Sequence, residues 1–223
     1  MLSCILVQTS ELRDAFVSEL QLSRVNEGFD VITVYRRAGW ILVYAEKIPL
    51  ESVYAIVFEQ LQVDVIFLPF FGISISHQHS IGDVILPNVF FPFNPRLLSE
   101  EVTSENRDTF MEKPIFLTDY DMQADYLVEG AGISIGGIAI ASLPVECDDD
   151  LITKLEMAYE SDILTTENIM PFALEASKNE VSTCILGAVT EWKKTAEQGQ
   201  FTAVQFATKN LIRTMRMIQN EDI

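Results

Sequence analysis

The sequence predicts an α/β fold, with three α/β/α layers around a central twisted mixed sheet. Three observations carry this. Strand and helix signals alternate through most of the 223 residues. The run Val65 to Leu68 is continuously apolar with β-branched residues, as in a strand buried on both faces of a parallel sheet. An apolar content of 48% over this length suits one sizeable core. No internal repeat, low-complexity tract or linker interrupts the chain, so a single domain over 1–223 is expected.

Ser3 to Val7 reads as the first buried strand. Thr9 or Ser10 can cap the helix after it, with Leu12, Phe16 and Leu20 at helical spacing. Phe29 to Tyr35 and Trp40 to Tyr44 read as strands joined by an Arg37-Ala38-Gly39 turn. A helix over Leu50 to Leu61 feeds the Val65 to Leu68 strand, which is expected to break at Pro69 and turn through Gly72. Ile81 to Leu86 opens a second buried strand behind a turn. Asn88 to Asn94, punctuated by proline and asparagine, reads as a loop whose Phe90, Phe91 and Phe93 could wall an apolar pocket.

Leu98 to Met111 reads as an acidic, solvated segment. Gly130 to Ser142 reads as one long strand with glycines at close-packing positions. Asp148-Asp149-Asp150 favours a helix start over Leu151 to Tyr159, because carboxylates complement the dipole there. Ile163 to Thr165 is a short strand, and Thr166-Glu167-Asn168 is expected to start a helix with Pro171 in its first turn. Val181 to Val189 is the last strand, ending in Thr190-Glu191-Trp192. A closing helix runs from about Phe201 to Ile218.

Composition narrows the function. With 33 acidic against 15 basic residues and a net charge of −18, the chain would repel phosphate backbones and anionic membranes. Neither nucleic acid nor membrane is an expected partner. Cys4, Cys147 and Cys184 are scattered, which suits a reducing compartment better than a disulfide framework. The N-terminus lacks a signal-peptide pattern, and no apolar run approaches the ~20 residues of a membrane span. A cytoplasmic protein is expected, with no cofactor and no metal.

Ligands of open α/β sheets sit outside the carboxyl ends of the strands. The segment Phe70 to Ser80 leaves such an end with Ser74, Ser76, His77 and His79, and His77/His79 form an HxH pair without an evident third metal ligand. Glu167 and Glu191 stand at strand ends. At a helix start Glu167 should stay ionised and could accept both hydroxyls of a vicinal diol. Glu191, beside Trp192, could be desolvated towards general-acid use.

The run AEKIPLESVYAIVFEQLQVDVIFLPFFGIS, followed by IGDVILP, resembles the nucleoside phosphorylase/nucleosidase superfamily. So do IAIAS around Ser142, the segment Asp162 to Glu167, and Ala188 to Glu191. The likeness spans most of the chain, and only IGDV is close to a literal match. It implies a nucleoside phosphorylase-like fold and a homodimer in which aromatic loops meet the partner. It also implies that Phe71-Gly72 replaces a glycine-rich turn and that Thr166-Glu167 occupies the ribose clamp. Thr190-Glu191 would occupy the segment that supplies the general acid, and Glu11 would be the water-activating base. Together with Phe90, these residues compose the expected site.

The chain departs from the family pattern where Thr166 replaces a methionine, Glu191 an aspartate, and Leu143-Pro144-Val145-Glu146 the purine-side motif. No phosphate loop follows the first strand, so the resemblance implies hydrolysis rather than phosphorolysis. The implied substrate is a purine nucleoside modified at the 5′ position. Candidates are futalosine, of menaquinone synthesis, or methylthioadenosine/S-adenosylhomocysteine. A phosphorylase or a non-catalytic nucleoside-binding relative is the alternative.

Overall fold

The computed structural model describes residues 2–25, 32–46, 52–53, 56–57, 61–75, 79–116, 132–144, 148–159, 161–176, 182–192 and 200–219. Its strands are β1 Ser3–Val7, β2 Ser23–Val25, β3 Thr33–Arg37, β4 Trp40–Tyr44, β5 Val65–Ser74, β6 Val84–Leu86, β7 Val89–Pro92, β8 Ile115–Phe116, β9 Ile133–Ile135, β10 Ile138–Ala141, β11 Ile163–Leu164 and β12 Ser182–Trp192. The helices are α1 Ser10–Leu20, helical residues between 52 and 61 (α2), α3 Asp149–Ala158, α4 Met170–Ala176 and α5 Gln200–Ile218.

All the described strands join one mixed sheet, in the order β2-β3-β4-β1-β5-β11-β10-β7-β8, with β12, β6 and β9 branching from β5. On one face α1 and α5 bury Leu12, Phe16, Leu20, Leu211 and Met215 against Ile5, Val7 and Phe67. On the other, α2 and α4 bury Val53, Val57, Phe172 and Ala173 against Leu6, Ile66 and Leu68. The expected three-layer architecture is therefore present. Among the described residues no helix is long and apolar enough to cross a membrane.

The hub is β5, which does not break at Pro69 but runs ten residues to Ser74. One edge pairs with β12 along its whole length, from Val65–Ser182 to Ser74–Trp192. The other pairs with β1 only over Val65 to Phe67, and with antiparallel β11 only at Ile73 and Ser74. Between them no described strand pairs with that edge over residues 68–72. Proline, which has no N–H to donate, is tolerated where a ladder partner is missing. Gly72 is required at the far side of the opening, because a Cβ there would stand 2.5 Å from the Leu164 carbonyl oxygen and from the Ile163 side chain.

Other elements differ from expectation for identifiable reasons. Asn88 to Asn94 is not a loop: β7 pairs in parallel with β10, Val89–Ile138 to Pro92–Ala141. Phe90 is buried in the core, and Phe91 packs on Tyr159 with ring centroids 5.4 Å apart. The expected long strand over Gly130 to Ser142 is two strands, broken where Gly136 adopts φ +72°. The acidic stretch is pinned by buried Leu97, Val102 and Phe110. The Phe110 carbonyl accepts from Asn94 Nδ2 (2.9 Å) and the Tyr159 hydroxyl (2.7 Å). The Phe29 to Val31, Lys47 to Glu51 and Gly130 to Ala131 parts of the expected elements lie outside the described residues.

Candidate active site

The open edge of β5 gathers the expected site residues. α1 leaves the end of β1 with Thr9 as N-cap, its hydroxyl accepting from Leu12 N, so Glu11 sits exposed in the helix's first turn. β11 runs antiparallel to β5, and its continuation Thr165-Thr166-Glu167 lies back along residues 71–72. There the Thr165 hydroxyl donates to the Phe71 carbonyl (2.9 Å), while the Phe71 N–H donates to the Glu167 carboxyl. The segment thus satisfies polar groups that no strand covers. Glu167 and Glu11 come close enough for the charge of one to act on the other.

Glu167 is held from several sides. Its N–H donates to Thr165 Oγ1 (3.1 Å), and its carbonyl accepts from the Ser142 and Ile169 amides (3.1 and 3.0 Å). Ser142 takes the left-handed φ of +64°, uncommon for a residue with a Cβ, and its hydroxyl donates to Asn168 Oδ1 (3.0 Å). Thr166 is exposed beside it.

The expectation that Glu167 stays ionised at a helix start fails. α4 begins at Met170, so Glu167 is not in its first turn. Burial pushes Glu167 up to about 8, the Phe71 amide opposes this, and the Glu11 charge adds to it. Near neutrality Glu167 is mostly a neutral acid that can both donate and accept.

Glu191 is a backbone position within β12, not after it. The β5 pairing runs regularly to Val189–Gly72 and resumes at Glu191–Ile73, so Thr190 occupies a β-bulge. Thr190 Oγ1 lies 3.4 Å from the Gly72 carbonyl. Bulges re-aim the residues that follow them. Phe71, Gly72, Thr190, Glu167 and the Glu191 backbone therefore share one level of the sheet. Phe90 does not join them: at 0% exposure it offers no surface to a ligand.

Of the rim residues, Ser76 and His77 lie outside the described residues. His79 is buried with Nε2 3.3 Å from Asp162 Oδ1, and the Ile138 amide donates to Asp162 Oδ2 (2.8 Å). Burial raises the Asp162 carboxyl, but the bonds from His79 and Ile138 outweigh it and hold the group below the usual range. Ser74 Oγ donates to the Asp162 carbonyl (3.3 Å). The pairing of His79 with Asp162 was not visible in sequence, where Asp162 read only as the start of the Asp162 to Glu167 segment.

Among the described residues no cluster of three or more His, Cys, Asp or Glu could hold a metal ion. Asp148 is accounted for as the N-cap of α3, accepting from Leu151 N at 2.8 Å. Cys4 and Cys184 are free and buried, with thiols pushed well up by desolvation, so they behave as small apolar residues.

No family model matches the sequence, and no curated protein matches it. Solved structures do match in three dimensions. The 5′-methylthioadenosine nucleosidase of Arabidopsis thaliana superposes with a TM-score of 0.70 at 12% identity, covering 100% of this chain and 98% of that one. Futalosine hydrolase of Helicobacter pylori gives 0.68 at 10% identity over 100% of both chains. The 5′-methylthioadenosine/S-adenosylhomocysteine nucleosidase of Campylobacter jejuni gives 0.65 at 14% identity, again over 100% of both. With a three-layer α/β/α architecture and end-to-end superposition on these proteins, the chain has the nucleoside phosphorylase/nucleosidase fold.

Proposed function

We propose that the protein is a purine nucleosidase, hydrolysing the N-glycosidic bond of a nucleoside modified at the 5′ position, with futalosine or methylthioadenosine/S-adenosylhomocysteine as the substrate. The observation that carries the reading is Glu167, buried against the Phe71 amide beside β5 and within electrostatic reach of Glu11. A Glu167 kept mostly neutral by burial can both donate to and accept from a vicinal diol.

In this mechanism Glu191 gives a proton or a hydrogen bond to purine N7, and the C1′–N9 bond breaks towards an oxocarbenium-like ribosyl group. Glu167 holds the 2′- and 3′-hydroxyls. As positive charge grows on the sugar it favours the ionised form of Glu167, so the contact strengthens in the transition state. Glu11 takes a proton from water as the water oxygen bonds to C1′. The products are the free base and the sugar hemiacetal. General-acid help of this kind contributes ~10²–10⁴ in rate.

Water is favoured over phosphate as nucleophile. Arg13, the basic residue nearest the first strand's end, bonds Asp14 through Nε at 2.7 Å and stacks 4.6 Å over the Tyr44 ring. A net charge of −18 also disfavours a dianionic co-substrate. A homodimer cannot draw on Phe90 or Phe91, which are buried. Phe116 on edge strand β8 (59% exposed) and Leu174 on α4 (43%) supply apolar surface for one, and light scattering at micromolar concentration tests it.

The test of function is incubation with futalosine, methylthioadenosine, S-adenosylhomocysteine and inosine, with and without phosphate, following base release. Phosphate-independent release from a 5′-modified nucleoside is expected. Release that depends on phosphate supports a phosphorylase, and binding without release supports a non-catalytic relative.

A further inference from the structure

The turn Ser80 to Asp83 is wedged between α5 and the end of β12. Gly82 has φ +92°, and a Cβ on it would stand 2.2 Å from the Phe206 ring, so only glycine fits under α5. Asn210 Nδ2 donates to the Gly82 carbonyl at 2.7 Å. The turn in turn holds one residue of β12: Gly82 N donates to the Val189 carbonyl (2.8 Å), and Val189 N donates to the Asp83 carbonyl (2.9 Å). Asp83 closes the turn by accepting from Ser80 N at 2.8 Å. Regular β6–β12 pairing covers Ala188–Val84 and Gly187–Ile85. Val189 is thus held on both edges immediately before the Thr190 bulge, two positions ahead of Glu191.

We infer that Asn210, acting through the Gly82 turn on Val189, is a positioning residue that sets where Glu191 is delivered. The inference rests on Glu191 as the proton donor of the proposed nucleosidase. It gives the IGDV segment a physical role: glycine for the approach of α5, the aspartate for the turn, and the following strand as the rail on which β12 is registered. A bulged strand has slack at Thr190: β5 takes up the pairing again at Glu191–Ile73, and the Gly82 turn fastens the residue before the bulge from the opposite edge. The bond from Asn210 closes this fastening from the helix side.

The test uses Asn210→Leu, which keeps volume and removes the donor, and Asn210→Asp, which keeps shape and removes the donor. Both are compared with wild type on a purine nucleoside and on 4-nitrophenyl β-D-ribofuranoside, whose nitrophenolate leaves without protonation. A misplacement on the order of 1 Å can cost ~10² in rate, so kcat on the nucleoside should fall by about tenfold or more. KM should stay within about twofold, and the nitrophenyl riboside rate should barely change. Combining Asn210→Leu with Glu191→Gln should cost no more than Glu191→Gln alone, because both act on one proton transfer.

Equal losses on the two substrates, or fully additive losses in the double variant, overturn the assignment and leave Asn210 as scaffold. Thermal unfolding of each variant separates a folding defect from either result. A wild-type protein that releases base from no nucleoside defeats the nucleosidase reading itself, and the inference with it.

Discussion

Two carboxyl groups five residues apart flank β11, and their surroundings push them in opposite directions. Asp162, before the strand, is met by His79 and the Ile138 amide, and is held low despite partial burial. Glu167, after the strand, has one amide donor and a like charge in Glu11, and rises to about 8. Burial acts against the charge in both. What differs is the number of donors and the sign of the neighbour. The first corner reads as a fastening and the second as a group kept ready to change its charge.

The largest expected difference between the corners is in turnover. Glu167→Gln should lower kcat/KM for base release by on the order of 10–100-fold, since hydrogen bonds involving charged groups are worth ~1.5–3 kcal/mol. A 2′-deoxyribosyl substrate should lose less, because part of the contact is already missing. Asp162→Asn should leave turnover within a few-fold and instead cost about 1–3 kcal/mol of stability through the weakened His79 contact. Steady-state kinetics and chemical unfolding of the two variants decide the matter. A collapse of turnover in Asp162→Asn would erase the distinction.

Next in size is the pH dependence of stability, with opposite signs at the two corners. A raised carboxyl binds its proton more tightly folded than unfolded. Glu167 therefore contributes stability that is fully present below its ordinary value near 4.5 and is lost as pH rises through about 8. Glu167→Gln should flatten that decline in thermal unfolding between pH 5 and 9. A lowered carboxyl does the reverse, so the contribution of Asp162 is present above its ordinary value of 3.8 and disappears as pH falls through its lowered folded value. Asp162→Asn should lose stability at neutral pH and converge with wild type in acid.

Much of this was legible in the chain and some was not. β1, α1, β4, α3 and α5 fall within a residue or two of expectation, because their periodicity and caps are local. The three-layer fold followed from their alternation. β5 was expected to stop at Pro69 because proline disfavours a central strand. The missing partner that admits it comes from β1 ending early and β11 arriving late. Such facts about distant segments have no local signal. Glu11 and Glu167 could be named from resemblance, but the protonation of Glu167 could not, since it depends on where α4 begins. Pro171 carried a usable hint: proline favours the first helical positions, which places the helix start near Met170 and leaves Glu167 outside it. The buried roles of Phe90 and Phe91 were hidden because Pro92 and Asn94 look like loop punctuation, although Pro92 only ends β7.

A smaller effect sharpens the electrostatic account of Glu167. Glu11→Gln removes the like charge while leaving burial intact, so the Glu167 carboxyl should titrate lower, though still above its ordinary value near 4.5. Carboxyl NMR of labelled glutamate, read in both proteins, measures this. An unmoved midpoint would show that burial and the Phe71 amide set the value without Glu11. The smallest change should come from Phe90→Leu in the core behind both corners. A loss of about 1 kcal/mol with unaltered turnover is expected from a modest volume change. A change in kcat there would return Phe90 to the site.

The placement of β12 bears on how the molecule comes together. It lies between β5 and β6, and the contact from Thr190 to Gly72 joins positions 118 apart in sequence. Until this late segment is made, the long edge of β5 has no ladder partner along Val65 to Ser74, and apolar unpaired edges invite association with other chains. The final steps that protect the nascent protein are then the same ones that bring Thr190 and the Glu191 backbone to the proposed site. A chain interrupted before residue 182 would be both inert and aggregation-prone, and slow acquisition of activity should track slow loss of light scattering during refolding.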